Sequence, residues 1–231
     1  MRNWKRFWRS YPKTVEETDF LKQVEKTVCG QPISTRQFQL IISDIRQRLE
    51  LNEDDVVLDL CCGNGLITQE IAAVCREVVG VDFSRPLLDV ANKYHRPENV
   101  RYECASVLDL DGTPLVSSTP FNKVLMYEAM QHFRPRELVQ ILSSVLPLTG
   151  ERPIILLGSV PDAARKWNFY DTYRRRLVYW LRTLTSREAI GTWWDASLIR
   201  ATCEQLNLRC EFCEQSGELH TAHYRFDVKI F

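Results

Sequence analysis

The segment Asp59-Leu60-Cys61-Cys62-Gly63-Asn64-Gly65 closes an apolar run and holds residues suited to gripping a ligand. Gly63 and Gly65 let the backbone turn tightly and leave room for a ligand to approach. A helix starting after Gly65 offers free N–H groups to a carboxylate or a ribose oxygen. Seventeen residues further on, Asp82 ends a second apolar run, where an acid accepts hydrogen bonds from ribose hydroxyls. A dinucleotide site uses G-x-G-x-x-G. Here the first glycine position is Cys61, and Thr68 stands three residues after Gly65. Both side chains would crowd a pyrophosphate, whereas an adenosine with an amino-acid tail needs less space.

Other residues could act on or hold a second reactant. Glu128 and His132 are four apart and share a face if the run is helical. A histidine there serves either as a general base toward a hydroxyl or ammonium, or simply as a packing or capping group. Residues 161–195 are rich in rings, among them Trp167, Tyr170, Trp193 and Trp194. These four either wall an acceptor pocket or build the core of a small helical cap. Asp195 reads as the N-cap of the next helix. His220 and His223 precede the last strand; in an extended run they face opposite sides, and His223 is taken as the one reaching the pocket. Arg174-Arg175-Arg176 is a solvated helix face or a grip for phosphate or sulfate.

These residues need a scaffold, and its elements are legible. Two amphipathic helices are expected over 15–29 and 35–49, the second with Phe38, Ile41, Ile42, Ile45 and Leu49 at helical spacing. From residue 55 the pattern becomes strand, helix, strand. Val56–Leu60 is continuously apolar around Asp59, the mark of a strand buried on both faces. Strands are expected at 78–81, 100–104, 123–126 and 153–157, with helices at 66–76, from Ser84 to 93, and at 136–146. A helix at 196–206 and two strands at 208–214 and 222–230 end the chain, the two strands pairing antiparallel. The fold class is therefore α/β: a Rossmann-like, doubly wound seven-stranded sheet, mostly parallel, with an antiparallel C-terminal hairpin strand. The expected organisation is an N-terminal helical arm over 1–50 and a domain over 51–231, with the cap inserted at about 161–195.

Over residues 50–231 the chain resembles the class I S-adenosylmethionine-dependent methyltransferases. Val57 to Gly65 looks like that family's first motif, with Cys61 at the usual first glycine, and Val79-Gly80-Val81-Asp82-Phe83-Ser84 looks like the second. The resemblance implies S-adenosylmethionine as cofactor and S-adenosylhomocysteine as product. It implies contacts from Asp59, Cys61, Gly63, Asn64, Gly65, Asp82 and Phe83, with Phe83 beside the adenine. Ser106 and Val107 fall where relatives contact the adenine amine, Ser106 standing in place of an Asp. Phe121 to Glu128 looks like the fourth motif, which puts Met126 and Tyr127 beside the methionine part, and Tyr127 also beside the acceptor. His132 lies near a histidine common in relatives. The run from Glu128 to His132 is similar to the Glu-x-x-Glu-His of metal-dependent relatives, but Gln131 replaces the second acid, and no metal is expected. The basic and aromatic N-terminus (Arg2, Trp4, Lys5, Arg6, Phe7, Trp8, Arg9, Tyr11, Lys13) is expected to fold over the cofactor mouth.

Composition narrows the function. Lys+Arg 30 balances Asp+Glu 30, so the broad basic surface of a nucleic-acid binder is disfavoured. No apolar run approaches a membrane span, and no signal-peptide core is present, so a cytoplasmic protein with no membrane partner is expected. The 8 cysteines, without a secretory signal, read as reduced thiols. The expected function is transfer of a methyl group to an oxygen or nitrogen of a small-molecule acceptor: a metabolite, sugar or natural-product intermediate. The alternatives are an RNA-modifying methyltransferase, a non-catalytic adenosine-cofactor-binding protein and, disfavoured by Cys61 and Thr68, a nicotinamide oxidoreductase.

Overall fold

Burial on both faces explains the apolar strands. The computed structural model describes residues 3–110, 115, 119–185 and 189–231. Strands β1 (Val56–Leu60), β2 (Glu77–Asp82), β3 (Val100–Cys104), β4 (Phe121–Tyr127), β5 (Thr149–Pro161), β6 (Cys210–Glu214) and β7 (Arg225–Ile230) form one sheet in the order 3-2-1-4-5-7-6. β1 to β5 are parallel, and β7 runs antiparallel between β5 and β6. The order reverses between β1 and β4, so a crevice opens at their carboxyl ends. Register brings the ligand-binding candidates to that edge: Leu60 pairs with Val81, and Asp59 with Leu125.

Side-chain alternation divides the core. Val56, Leu58 and Leu60 pack on one face with Leu138, Ile141 and Leu142 of α6 (Pro135–Val145) and Ile199 and Cys203 of α9 (Ala196–Gln205). Val57 packs on the other with Ile41, Ile45 and Leu49 of α3 (Thr35–Leu49) and Ile71 of α4 (Leu66–Ala72). Ser34 caps α3 by accepting from the Gln37 N–H at 3.2 Å, and Asp195 caps α9 by accepting from the Ser197 N–H at 2.8 Å. Helix α5 (Arg85–Tyr94) follows Ser84, whose hydroxyl does not cap it. Instead it donates to the Trp8 carbonyl at 2.6 Å.

Three local expectations are corrected. After α1 (Trp4–Ser10) and a 3-10 turn (Tyr11–Thr14), the single helix expected over 15–29 is replaced by the one-turn α2 (Phe20–Gln23) and the first strand of a short antiparallel pair, Thr27–Val28 with Gln31–Pro32. Left-handed Glu25 and Cys29 (φ 52° and 51°) break the helical path. Arg2 of the basic N-terminus lies outside the described residues. Glu128 and His132 do not share a helix: Glu128 follows β4 with φ 52°, and Met130–His132 is a 3-10 turn. His220 and His223 sit in a turn ahead of β7, so strand alternation does not govern them.

In the ring-rich segment, α7 (Lys166–Phe169) and α8 (Tyr173–Leu184) form. Trp194 is fully buried, packs in the sheet core and donates its Nε1–H to the Met130 carbonyl at 2.8 Å. Its ring thus supports the turn that carries His132. Trp194→Ala is expected to cost about 3–5 kcal/mol. Trp194→Phe, which keeps most of the ring and loses the bond, should cost about 1–3 kcal/mol. Urea unfolding of the three proteins measures both; equal stabilities would remove the indole from the fold's support.

Candidate active site

Buried polar contacts shape the loop after β1. Cys61, Gly63 and Gly65 take φ of 58°, 60° and 78°, a left-handed series at the strand end. The Gly63 N–H donates to Asp82 Oδ2 at 3.0 Å, and the Ser84 N–H to Asp82 Oδ1 at 2.7 Å. One carboxylate therefore ties the loop after β1 to the turn after β2. Burial pushes the Asp82 carboxyl up to about 6, against the pull of the Ser84, Gly63 and Phe83 N–H groups. Asp59 is raised to about 7, again by burial, although the Thr68 hydroxyl donates to it at 2.6 Å. Burial also pushes the Cys61 and Cys62 thiols up, which leaves them protonated and unreactive.

A cleft of about 1100 Å³, counted to its open mouth, lies over this loop. Cys61, Gly63, Asn64, Asp82, Phe83, Ser106, Val107 and Tyr127 line it, together with Glu128 and His132. Asp59, Gly65 and Met126 do not. Asp59 faces Thr68 in the interior and braces α4, and Met126 is fully buried in the core. A Cβ on Gly65 would lie 2.3 Å from the Tyr102 hydroxyl, so this glycine makes room for a tyrosine rather than for a ligand.

The N-terminal arm closes one side of the cleft. Asn64 Nδ2 donates to the Phe20 carbonyl at 2.9 Å and to Gln23 Oε1 at 3.0 Å. Trp4 and Trp8 line the cleft and pack on His132, with ring centroids 4.3 and 5.6 Å away. Lys26 forms a short ion pair with Glu128 and sits 5.0 Å from the centre of the Tyr127 ring. Burial alone would raise the Glu128 carboxyl. The positive charges of Lys26 and Arg225, with the Lys26 bond, outweigh it and hold the group at about 2. Glu128 is thus ionised throughout the neutral range, too weak a base for proton abstraction there.

A second cavity of about 790 Å³, also counted to its open mouth, meets the first at Trp4, Trp8, Val24, Lys26, Glu128 and His132. Its remaining wall comes from Gln131, Phe169, His220, Thr221, Tyr224 and Arg225, among others. None of the ring-segment candidates for the acceptor wall reaches it. Trp167 packs edge-on against Tyr179, Tyr170 lies between Phe169 and Tyr179, and Trp193 packs on Phe169 and Tyr224. Trp194 belongs to the sheet core. His223 packs edge-on against Tyr224 with its carbonyl bonded to Asn168, and His220 takes the place in the cavity. Lys26 and Arg225 are the functional candidates that sequence reasoning missed. Lys26 stood within an expected helix and Arg225 within an expected strand, and neither has a motif around it.

Residues 57–149 match the family model of a methyltransferase domain. Over 103 residues the chain is 38% identical to an uncharacterised methyltransferase of Schizosaccharomyces pombe, covering 41% of this chain and 36% of that protein. Over 141 residues it is 30% identical to a protein-L-isoaspartate O-methyltransferase of Nitrobacter winogradskyi, covering 58% of this chain and 62% of the relative. The chain thus spans less than two thirds of either curated relative. The crystal structure of magnesium protoporphyrin IX methyltransferase from Synechocystis, with S-adenosylhomocysteine bound, has the same fold: TM-score 0.63 at 12% identity, over 97% of this chain and 95% of that one. Residues 57–149 thus match a methyltransferase domain, and the 3-2-1-4-5-7-6 sheet around them has the fold of a methyltransferase solved with S-adenosylhomocysteine bound.

Proposed function

We propose that this chain transfers the methyl group of S-adenosylmethionine to an oxygen or nitrogen of a small-molecule acceptor. The observation that carries the reading is the pair of cavities meeting at Glu128, Lys26 and His132. One cavity suits the cofactor and the other an acceptor. Asp82 uses one acceptor position on each carboxylate oxygen for Gly63 and Ser84 and retains capacity for ribose hydroxyls. Phe83 and Val107 offer apolar surface to a base. Ionised Glu128 suits an ammonium group and Lys26 a carboxylate, the two charges of an amino-acid tail.

The bound cofactor supplies a methyl group already activated by a positively charged sulfur. The protein's task is then alignment: to hold an acceptor lone pair in line and exclude water. The two tryptophans of the arm cover the junction and do the excluding. His132, at that junction, is the group available to take an acceptor proton, and ionised Glu128 is a positioning and electrostatic group rather than the base. The zero formal net charge, without the excess of basic groups an RNA backbone requires, favours a small acceptor over RNA.

The experiment is incubation of the purified chain with methyl-labelled cofactor and a cell extract, followed by separation into small molecules, RNA and protein. Label should appear in the small-molecule fraction. Label confined to RNA or protein would overturn the acceptor assignment, and a chain that does not bind S-adenosylhomocysteine would overturn the cofactor.

Two further outcomes are expected. Ribose hydroxyls prefer the ionised Asp82, so binding lowers a carboxyl that stands at about 6 and releases protons. Calorimetric affinity for S-adenosylhomocysteine should rise from about pH 5 to about pH 7 with net proton release, and Asp82→Asn should flatten that dependence. A flat wild-type profile would remove Asp82 from the binding set. His132→Ala should lower turnover by about 10²-fold or more, with affinity for S-adenosylhomocysteine retained. Unchanged turnover would dismiss His132 as the base.

A further inference from the structure

The second cavity holds a buried cation, Arg225, that has no ion-pair partner among the described residues; the Tyr224 ring centre lies 5.2 Å from its guanidinium carbon. Arg225 is 6% exposed and lines that cavity. Its Nη1 donates to the Ser159 carbonyl and, at 3.3 Å, to Gln131 Oε1. Both acceptors are neutral. Its Nε–H is buried and has no hydrogen-bond partner. No carboxylate of the described residues lies within ion-pair distance of it. Glu128, the acid whose field reaches it, is bonded to Lys26. The other titratable groups of the cavity add no further buried anion: Glu25 is solvent-exposed, and burial lowers the His220 imidazole, which favours its neutral form. Among the described residues, two buried cations thus face one half-buried carboxylate, Glu128.

A buried charge without a bonded counter-charge is expensive, and a buried donor without an acceptor adds to that cost. Holding the Ser159 carbonyl and the Gln131 amide requires only a neutral donor, so those contacts do not account for a guanidinium. We infer that Arg225 is the docking point for an oxyanion of the methyl acceptor, a carboxylate or a phosphoryl group, bound through the free Nε–H beside Tyr224. This inference rests on the methyltransferase reading and specifies the acceptor's class: a small acid whose nucleophilic atom reaches toward His132 while its anion is held at the far side of the cavity. Arginine suits this role because its planar donors match the oxygens of carboxylate and phosphate.

The test uses the chain saturated with S-adenosylhomocysteine and follows the arginine Nε–Hε resonances by nitrogen-15 NMR. Arg225→Lys assigns the Arg225 signal by its disappearance. Inorganic phosphate and acetate are titrated separately, with chloride as control. The expected result is a saturable downfield shift of the Arg225 signal with one oxyanion. Phosphate acting alone identifies a phosphoryl acceptor, and acetate acting alone a carboxylate. Chloride should have no effect, and Arg225→Gln should weaken oxyanion binding by calorimetry about tenfold or more. The inference is overturned if S-adenosylhomocysteine binds but neither oxyanion moves the signal, or if chloride moves it equally. Failure of S-adenosylhomocysteine to bind would instead overturn the parent reading, and this one with it. The wild-type titration decides the matter even if Arg225→Gln does not fold.

Discussion

The site depends on the buried carboxylate of Asp82. Its two oxygens accept the Gly63 and Ser84 N–H groups, so two loops from neighbouring strands are fixed by one side chain. The left-handed series Cys61, Gly63, Gly65 is unfavourable for the non-glycine Cys61 and persists because the surroundings hold it. Tyr102 is part of that hold. It fills the space that a side chain at Gly65 would need and donates to the His95 carbonyl at 2.5 Å, while His95 Nδ1 lies 2.7 Å from the Asn64 carbonyl. The cleft floor is rigid because its backbone polar groups are bonded behind it.

The N-terminal arm completes what the sheet begins. Three contacts of different chemistry pin it: Ser84 to the Trp8 carbonyl, Asn64 to α2, and Lys26 to Glu128. Two of them end on residues that line the cleft, Asn64 and Glu128, and the third on Ser84 beside cleft-lining Phe83. Ordering of the arm and shaping of the cleft are therefore one event in energetic terms. The sheet alone would present an open crevice; Trp4 and Trp8 turn it into a covered junction between two cavities.

The fold was legible because burial writes itself into sequence. β1 shows as a solid apolar run, α3 as a stripe of Ile41, Ile45 and Leu49, and the C-terminal hairpin as two strands with no helix between them. The loop geometry of the first cleft was legible for a related reason: glycine and aspartate at fixed spacing report backbone needs that few other residues meet. The second cavity was not. Its charged groups, Lys26 and Arg225, come from segments 199 positions apart, joined only by tertiary packing. The rings at 167–194 drew attention as a pocket wall, yet an aromatic cluster satisfies itself as readily as it binds a ligand. Trp194 went into the core, and Phe169 alone of the neighbouring rings reached the cavity. Gly65 misled for another reason: its requirement is real, but a tyrosine imposes it.

The electrostatics of the site run in two directions. Asp59 and Asp82 are raised by burial from an ordinary 3.8 to about 7 and about 6. The native state therefore binds more protons than the unfolded chain above pH 3.8, and stability from these groups falls as pH rises through their native values. Glu128, lowered from 4.5 to about 2, works oppositely: it contributes stability above 4.5 that is lost as pH falls toward 2. At neutral pH the cofactor side is therefore partly destabilised by its own buried acids, while the Lys26–Glu128 junction is at full strength. A ligand that donates hydrogen bonds to Asp82 relieves the first cost, and an anion at Arg225 relieves the cost of a second cation beside Lys26. On the proposed reading, binding at both cavities thus removes electrostatic penalties of these buried groups, with the Lys26–Glu128 ion pair lying between them.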